Sequence, residues 1–226
     1  MPLEVFDYRT DVRNFVVTPE IRGRFLRMEP GQVAARHSHD LGQEMFLVLE
    51  GQCEFEIAGE RAVLGPGQAC FARRDELHQV RVVGDVPMTM YLSVTPHIEP
   101  THTHWTADPA EGGQKQRPRY GTWKAPKQDG IPDPEGTIAE LIDRQLAAAR
   151  ALNQIVQQTT ASQEQNALAL KRAVAEGDQE AARELTDALW ADLYPIFRAI
   201  SELGAAWNDV AFVAGESSRR PSAAPR

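Results

Sequence analysis

The stretch Gly31–Gly51, GQVAARHSHDLGQEMFLVLEG, carries two histidines two residues apart, a glutamate five residues later and a glycine at each end. On an extended strand alternate side chains share a face, so His37 and His39 point the same way. Glu44 opens the next apolar run, and the turn DLGQ brings the two segments together. The pattern predicts a cluster of polar ligands on neighbouring strands.

A third imidazole is available at His78, which leads the strand-like run HQVRVV. Three imidazoles and one carboxylate can surround a divalent ion with nitrogen and oxygen donors, a set that suits Fe, Mn, Co, Ni, Cu or Zn. It leaves room for water or substrate when the ion is five- or six-coordinate. The spacing does not choose among these metals, and paired histidines on strands also occur as ordinary polar residues.

The same residues resemble the first motif of the cupin superfamily. That motif is a glycine, five residues, His-x-His, three or four residues, Glu, six residues and Gly. The chain matches it at every position, with the four-residue option, through Gly31, His37, His39, Glu44 and Gly51.

The second cupin motif is a glycine, five residues, Pro-x-Gly, two residues and a His, with an Asn four positions later. Gly67 and His78 stand at this separation. Arg73 and Asp75 replace the proline and the glycine, and Val82 occupies the asparagine position. The metal ligand is therefore kept while the turn before it has different chemistry.

The resemblance implies a mainly β fold, a cupin-type β-barrel (double-stranded β-helix, jelly-roll) over roughly residues 20–100. It implies one divalent metal ion, with Fe(II) favoured, and a dioxygenase-type oxidoreductase acting on a small organic molecule. The implied metal ligands are His37, His39, Glu44 and His78, and Glu44 is also the implied catalytic base. Two alternatives stay open, because the family also includes isomerases, decarboxylases and lyases. One is a non-redox metal enzyme; the other is a barrel that binds or senses a small molecule without turnover.

Four further side chains are candidates for the substrate pocket. Phe46 shares the face of Glu44, and strand alternation places Phe55 and Tyr91 on neighbouring strands around the metal. Arg73 is a candidate for holding a substrate carboxylate through a bidentate pair. The competing interpretations are barrel core for the aromatic residues and a solvent-facing turn for Arg73.

The segment PHIEPTHTHW adds His97, His102 and His104. His102-x-His104 has ligand-like spacing, but no carboxylate follows at a motif distance. We interpret the segment as a polar connection that leaves the barrel, with His104 or Trp105 at the barrel mouth as an alternative.

The chain changes character along its length. Residues 1–104 read as short strands separated by Gly or Pro, and residues 105–136, where Pro and Gly fill ten of 32 positions, read as an extended linker or arm. Residues 137–214 predict an α-helical hairpin that starts at a Thr137-x-x-Glu140 capping box and turns at Gly177. Residues 215–226 read as a flexible tail.

The net charge and the hydrophobic pattern limit the partners and the location that we expect for the protein. The net charge of −8 argues against nucleic acid or an anionic membrane as the main partner. Neither a signal peptide nor an apolar run of about 18 residues stands out. The two cysteines, Cys53 and Cys70, lie in apolar strand-like runs and favour buried thiols in a reducing cytosol, so we expect a cytoplasmic protein. The apolar stripe of the hairpin must be buried, and we expect a homodimer through the hairpin, with a cover or lid on the barrel as alternatives.

Overall fold

The computed structural model describes residues 3–116 and 134–217. Within these ranges the chain forms ten β-strands followed by two α-helices. They are β1 (Asn14–Val17), β2 (Arg22–Met28), β3 (Gln43–Glu50), β4 (Cys53–Ile57), β5 (Glu60–Leu64), β6 (Ala69–Ala72), β7 (His78–Val82), β8 (Met88–Thr95), β9 (His104–Trp105), β10 (Lys115–Gln116), α1 (Ile138–Glu176) and α2 (Gln179–Ser217).

Two antiparallel sheets enclose the core of the barrel. One has the order β1-β2-β8-β3-β6 and the other the order β5-β4-β7. Phe46 of β3 and Phe55 of β4 meet between the sheets, with ring centroids 4.7 Å apart. This arrangement confirms the predicted jelly-roll barrel followed by helices. Cys53 and Cys70 are both free thiols.

Strand alternation decides which side chains enter this core. On β3 Glu44, Phe46 and Val48 are buried, whereas Gln43 and Met45 are exposed. On β8 the inward positions are Met88, Met90, Leu92 and Val94. The two strands pair directly, with Glu44 opposite Val94 and Phe46 opposite Leu92. Glu44 therefore places a polar ligand at the start of a strand whose other inward side chains are apolar and hold it in the core.

The closing glycine of the first motif is required by its backbone. Gly51 has a φ of +69°, and a Cβ at this position would lie 2.4 Å from the Pro87 carbonyl oxygen. Only glycine combines a left-handed conformation with so close a backbone approach. The last glycine of the motif is thus the residue that allows the tight turn between β3 and β4.

The first part of the predicted arm is folded. β9 pairs with β10, and the Trp105 indole N–H donates to Ser38 Oγ at 2.8 Å. Within the predicted arm of residues 105–136, the half-buried Trp105 indole therefore ties the first residues to the histidine segment. Residues 117–133, which include Tyr120 and Trp123, lie outside the described residues.

The helical hairpin follows its sequence signals. Thr137 and Glu140 form the predicted capping box, and Gly177 ends α1 with a φ of +75°. The Asp178 carboxylate then accepts the Ala181 N–H at 3.0 Å. α2 runs to Ser217, beyond the predicted end at 214, and positions 218–226 of the predicted tail lie outside the described residues.

The chain divides into two compact units, Met1–Pro134 with Ala211–Arg226, and Glu135–Val210. Inside the second unit, Ser162 Oγ on α1 donates to Asp192 Oδ2 on α2 at 2.8 Å. In the parts of the chain that are described, no helix has both the length and the apolar character that crossing a membrane requires.

Candidate metal centre

His37 and His39 lie on a short extended segment that the barrel holds from two sides. The His37 and His78 backbones exchange hydrogen bonds of 3.1 and 2.9 Å, and those of Ser38 and Thr103 exchange bonds of 3.1 and 2.7 Å. These isolated bridges keep the alternation that a regular strand would have. Both imidazoles therefore enter the barrel, while Ser38 turns the other way to meet Trp105.

The four predicted ligands converge on one point. Glu44 Oε2 lies 3.0 Å from His39 Nε2, 3.1 Å from His78 Nε2 and 3.9 Å from His37 Nε2. One ligand atom from each of the four residues lies within 4.8 Å of all the others. Strand positions from β3 and β7 thus join the histidine segment in a single cluster.

The other nitrogen of each imidazole has a fixed partner. In all three rings Nδ1 donates to a backbone carbonyl oxygen, which orients the ring. The acceptors are Ala35 for His37 (2.8 Å), Thr101 for His39 (2.7 Å) and Glu76 for His78 (2.9 Å). In the neutral form of each ring, Nε2 therefore presents a lone pair to the cluster.

This donor set fits a divalent cation. Three nitrogen lone pairs and a carboxylate oxygen at these distances repel one another unless protons or a metal ion lie between them. His37 Nε2 is buried and has no hydrogen-bond partner within the described ranges. A buried acceptor aimed at a carboxylate oxygen 3.9 Å away is satisfied by a cation that both atoms share.

Protonation states also suit a metal. Burial, and then the neighbouring His78, lowers the pKa of His37 to about 4, so this ring is neutral at pH 7. Burial alone would raise the pKa of the Glu44 carboxyl, but the adjacent imidazoles of His39 and His78 hold that pKa well below its ordinary value. A neutral imidazole and an ionised carboxylate are the forms that bind metal.

The turn before His78 is built without the proline and the glycine of the motif. Asp75, at the position of the motif glycine, has a φ of +70°. Its backbone N–H donates to the His39 carbonyl at 2.9 Å, and Lys115 Nζ lies 2.7 Å from its carboxylate. Aspartate tolerates the left-handed region better than most residues. The turn therefore still links two of the ligand-bearing segments.

A cavity of about 290 Å³ opens onto the cluster. His37, Glu44 and His78 line it. Its other walls are mainly apolar, formed by Leu26, Phe46, Phe55, Val80, Met90 and Leu92. A small organic molecule in this cavity would contact the ligand cluster and little water.

Two of the four predicted pocket residues line the cavity and two do not. Phe46 and Phe55 do. Tyr91 sits between Met90 and Leu92 on β8, so alternation turns it to the outer face, where its ring packs 6.2 Å from that of Phe25. Arg73 is an exposed turn residue, paired with Glu76 at 3.3 Å. The placement of Tyr91 and Arg73 in the pocket is thus corrected.

The cavity also contains residues that sequence reasoning missed. His102 lines it, with its ring centroid 4.3 Å from that of His37. Burial first, then His37 and His39, lowers the pKa of His102 to about 2. Arg22 and Arg24 line the cavity from β2. The alternation in RGRFLRM puts both arginines on the face of Leu26 and Met28, but it does not decide which face of the strand enters the barrel.

Comparison with known proteins agrees with this fold. Residues 24–95 match the family model of the cupin domain. Residues 24–95 of the barrel are accordingly a cupin domain, and the two helices lie outside the matched residues. The match also excludes Arg22 and the segment that carries His102.

Individual relatives are distant. Tetracenomycin polyketide synthase protein TcmJ of Streptomyces glaucescens is 23% identical over 97 residues, which are 42% of this chain and 65% of that protein. The alignment thus spans less than two thirds of that relative.

Among solved structures, an uncharacterized conserved protein with a double-stranded β-helix domain from Klebsiella pneumoniae is 23% identical. The similarity covers 42% of this chain and 91% of that chain, with a TM-score of 0.40. KdgF from a Halomonas species is also 23% identical, over 38% of this chain and 78% of that chain, with a TM-score of 0.36.

Proposed function

We propose that the barrel is a mononuclear metal-dependent enzyme acting on a small organic molecule, and specifically a dioxygenase-type oxidoreductase that uses Fe(II). The observation that carries the proposal is the convergence of three imidazole Nε2 atoms and Glu44 Oε2 beside a mainly apolar cavity. When bound, Fe(II) would supply the one-electron chemistry that dioxygen requires and that amino-acid side chains lack.

The chain's own residues have separate tasks in this proposal. His37, His39 and His78 hold the ion, and their Nδ1 hydrogen bonds to backbone carbonyls keep the rings aimed at it. Glu44 supplies the negative charge. A carboxyl with a depressed pKa is a weak base, so the ligand role of Glu44 is better supported than the predicted role as catalytic base.

The apolar walls contribute by excluding water. Phe46 and Phe55 are 3% and 2% exposed, and both border the cavity. An environment of this kind strengthens electrostatic interactions at the reacting centre and protects reactive species from water. The curated relative is named as a polyketide synthase protein, and an organic substrate is in keeping with the same walls.

The experiment is elemental analysis of untagged protein purified anaerobically without added metal, beside His39→Ala, followed by dioxygen-uptake measurements. We expect stoichiometric iron in the wild-type protein, loss of that iron in His39→Ala, and dioxygen uptake that depends on substrate. Zinc, nickel, manganese, cobalt or copper without dioxygen uptake would replace the proposal with non-redox metal chemistry. A metal-free wild-type protein would reject the enzyme and leave a small-molecule-binding barrel.

A further inference from the structure

Two arginines face the cavity from the inner side of β2. Arg22 and Arg24 alternate with Gly23, and they pair across to Val94 and Leu92 of β8, which are themselves core residues. Arg22 is only 3% exposed. Arginine is almost never buried this deeply without a partner. A charge in this position requires an explanation beyond packing.

Their guanidinium groups carry donors without acceptors. Nε and Nη1 of Arg22, and Nε of Arg24, are buried and have no hydrogen-bond partner in the part of the chain that is described. A buried ionic donor that is left unpaired is destabilising, and two such cations side by side add mutual repulsion. Burial first, then the Arg22 charge, lowers the pKa of Arg24.

The nearby carboxylates offset the charges of these arginines only in part: Glu44 acts on Arg24 and Glu99 on Arg22 through their charges, but neither accepts a hydrogen bond from the orphaned donors. Glu44 is engaged by the imidazoles of His39 and His78. Glu99 lies 3.4 Å from His97, and burial raises the pKa of its carboxyl while the Arg22 charge lowers it. Once a divalent ion occupies the ligand cluster, the cavity carries a clear excess of positive charge.

We propose that Arg22 and Arg24 bind the carboxylate of a small organic acid, and that the carbon skeleton of this acid lies against the apolar walls beside the His/Glu cluster. That the bound acid is the substrate rests on the proposed function. The anion site itself does not depend on catalysis. A guanidinium presents paired N–H donors whose geometry matches a carboxylate.

The dimensions limit the acid to a small one. A cavity of about 150 Å³ is enough to hold benzene. The present cavity of about 290 Å³ therefore takes a single ring with its substituents, or a short chain. Leu26, which follows the arginines on the same face of β2, continues the wall from the charged to the apolar part.

The experiment is isothermal titration of the protein as purified with acetate, oxalate, pyruvate and benzoate, and with benzamide as the neutral match of benzoate. We compare wild type with Arg22→Met, Arg24→Met and Arg22→Lys, and with Arg73→Met as a control on an exposed arginine outside the cavity. Metal content and the thermal unfolding midpoint are measured for every protein.

We expect at least one carboxylate to bind, and benzamide to bind far more weakly than benzoate. Arg22→Met should weaken carboxylate binding by about 10- to 100-fold, because a charge-assisted hydrogen bond is lost, while metal content stays unchanged. Its ligand-free midpoint should rise, because an unpaired buried charge has been removed. Arg22→Lys should keep part of the affinity, and Arg73→Met all of it.

The anion site would be overturned if no carboxylate binds, if benzoate and benzamide bind equally well, or if Arg22→Met and Arg24→Met keep full affinity for the carboxylate. A carboxylate that coordinates the metal directly would give this last result. If Arg22→Met does not fold, the same comparison is made with Arg24→Met and Arg22→Lys. Arginine-dependent carboxylate binding to a metal-free protein would instead retain the anion site and reject the proposed enzyme.

Discussion

The barrel and the helical hairpin depart from ordinary burial in opposite directions. The barrel buries His39, Glu44 and Arg22, which are 2%, 4% and 3% exposed, whereas the hairpin leaves Trp190 and Phe197 54% and 55% exposed. Burying charge is unfavourable without a partner, and exposing aromatic surface forgoes hydrophobic stabilisation. We propose that each departure marks a place of binding. In the barrel it suits a cation and an organic anion, and in the hairpin an apolar surface.

The largest effect is expected from the charge at the centre of the barrel. Glu44→Gln keeps the shape of the side chain but removes the anionic ligand, so the affinity for Fe(II) should fall by more than about 100-fold. Anaerobic metal titration measures this affinity. Glu60→Gln, which alters an exposed residue at the start of β5, should bind Fe(II) as wild type does. Equal affinity in Glu44→Gln and wild type would remove Glu44 from the ligand set.

Matched truncations of phenylalanine compare packing in the two regions. Phe55→Ala should lower the free energy of unfolding by about 3–5 kcal/mol, because a ring that is 2% exposed leaves a cavity in the core. Phe197→Ala, on an exposed ring of α2, should cost less than about 1 kcal/mol within a single chain. Urea unfolding checks both values. Similar losses would show that the surface of α2 is packed as tightly as the barrel core.

Acid should weaken the barrel through histidines that are buried in neutral form. Burial lowers the pKa of His97 from 6.5 to about 3, so between these values the unfolded state binds more protons than the folded state. The stabilising contribution is complete above pH 6.5 and is lost as the pH falls toward 3, by about 1.4 kcal/mol per pH unit at most. α1 and α2 contain no histidine, so the hairpin lacks this contribution.

Urea unfolding followed between neutral pH and about pH 5 measures the slope. Glu99, whose pKa is raised, acts in the opposite direction, and His97→Leu isolates the histidine contribution. The variant should show a shallower loss of stability with acid. An unchanged slope would assign the acid sensitivity to other groups.

For the hairpin we propose that a second copy of the chain covers the aromatic stripe of α2. Trp190, Tyr194 and Phe197 form it, with ring centroids 5.7 Å (Trp190 to Tyr194) and 6.2 Å (Trp190 to Phe197) apart. Changing Trp190 and Phe197 to serine should weaken self-association by about 10-fold or more. Sedimentation velocity detects the change. Val63→Ser, on an exposed residue of the barrel, is the control, and an unaltered oligomer in the double variant would move the interface elsewhere.

The smallest effect is expected at the turn before His78. Asp75→Gly relieves the left-handed strain but loses the contact with Lys115, so its free energy of unfolding should stay within about 1 kcal/mol of wild type. Asp75→Ala keeps the strain and loses the contact, and should cost about 1 kcal/mol or more. Thermal unfolding ranks the two. A more stable alanine variant would contradict the conformational explanation.

Several features followed from the sequence because their causes are local. The capping box at Thr137 and the left-handed Gly177 need only a few neighbouring residues, and both were predicted. The motif of His37, His39 and Glu44 was readable for a similar reason. Strand alternation and one turn determine which side chains share a face.

The amino-acid order by itself therefore determined the barrel, the candidate ligand set and the start and turn of the hairpin. Tertiary structure alone decided that Arg22, Arg24 and His102 face the cavity, while Tyr91 and Arg73 do not. Alternation leaves two possible phases for each strand, and only the pairing of β2 with β8 and the packing of the opposite sheet select one. His102 reaches His37 because Thr103 pairs with Ser38, a contact between residues far apart in the sequence that no short-range pattern encodes.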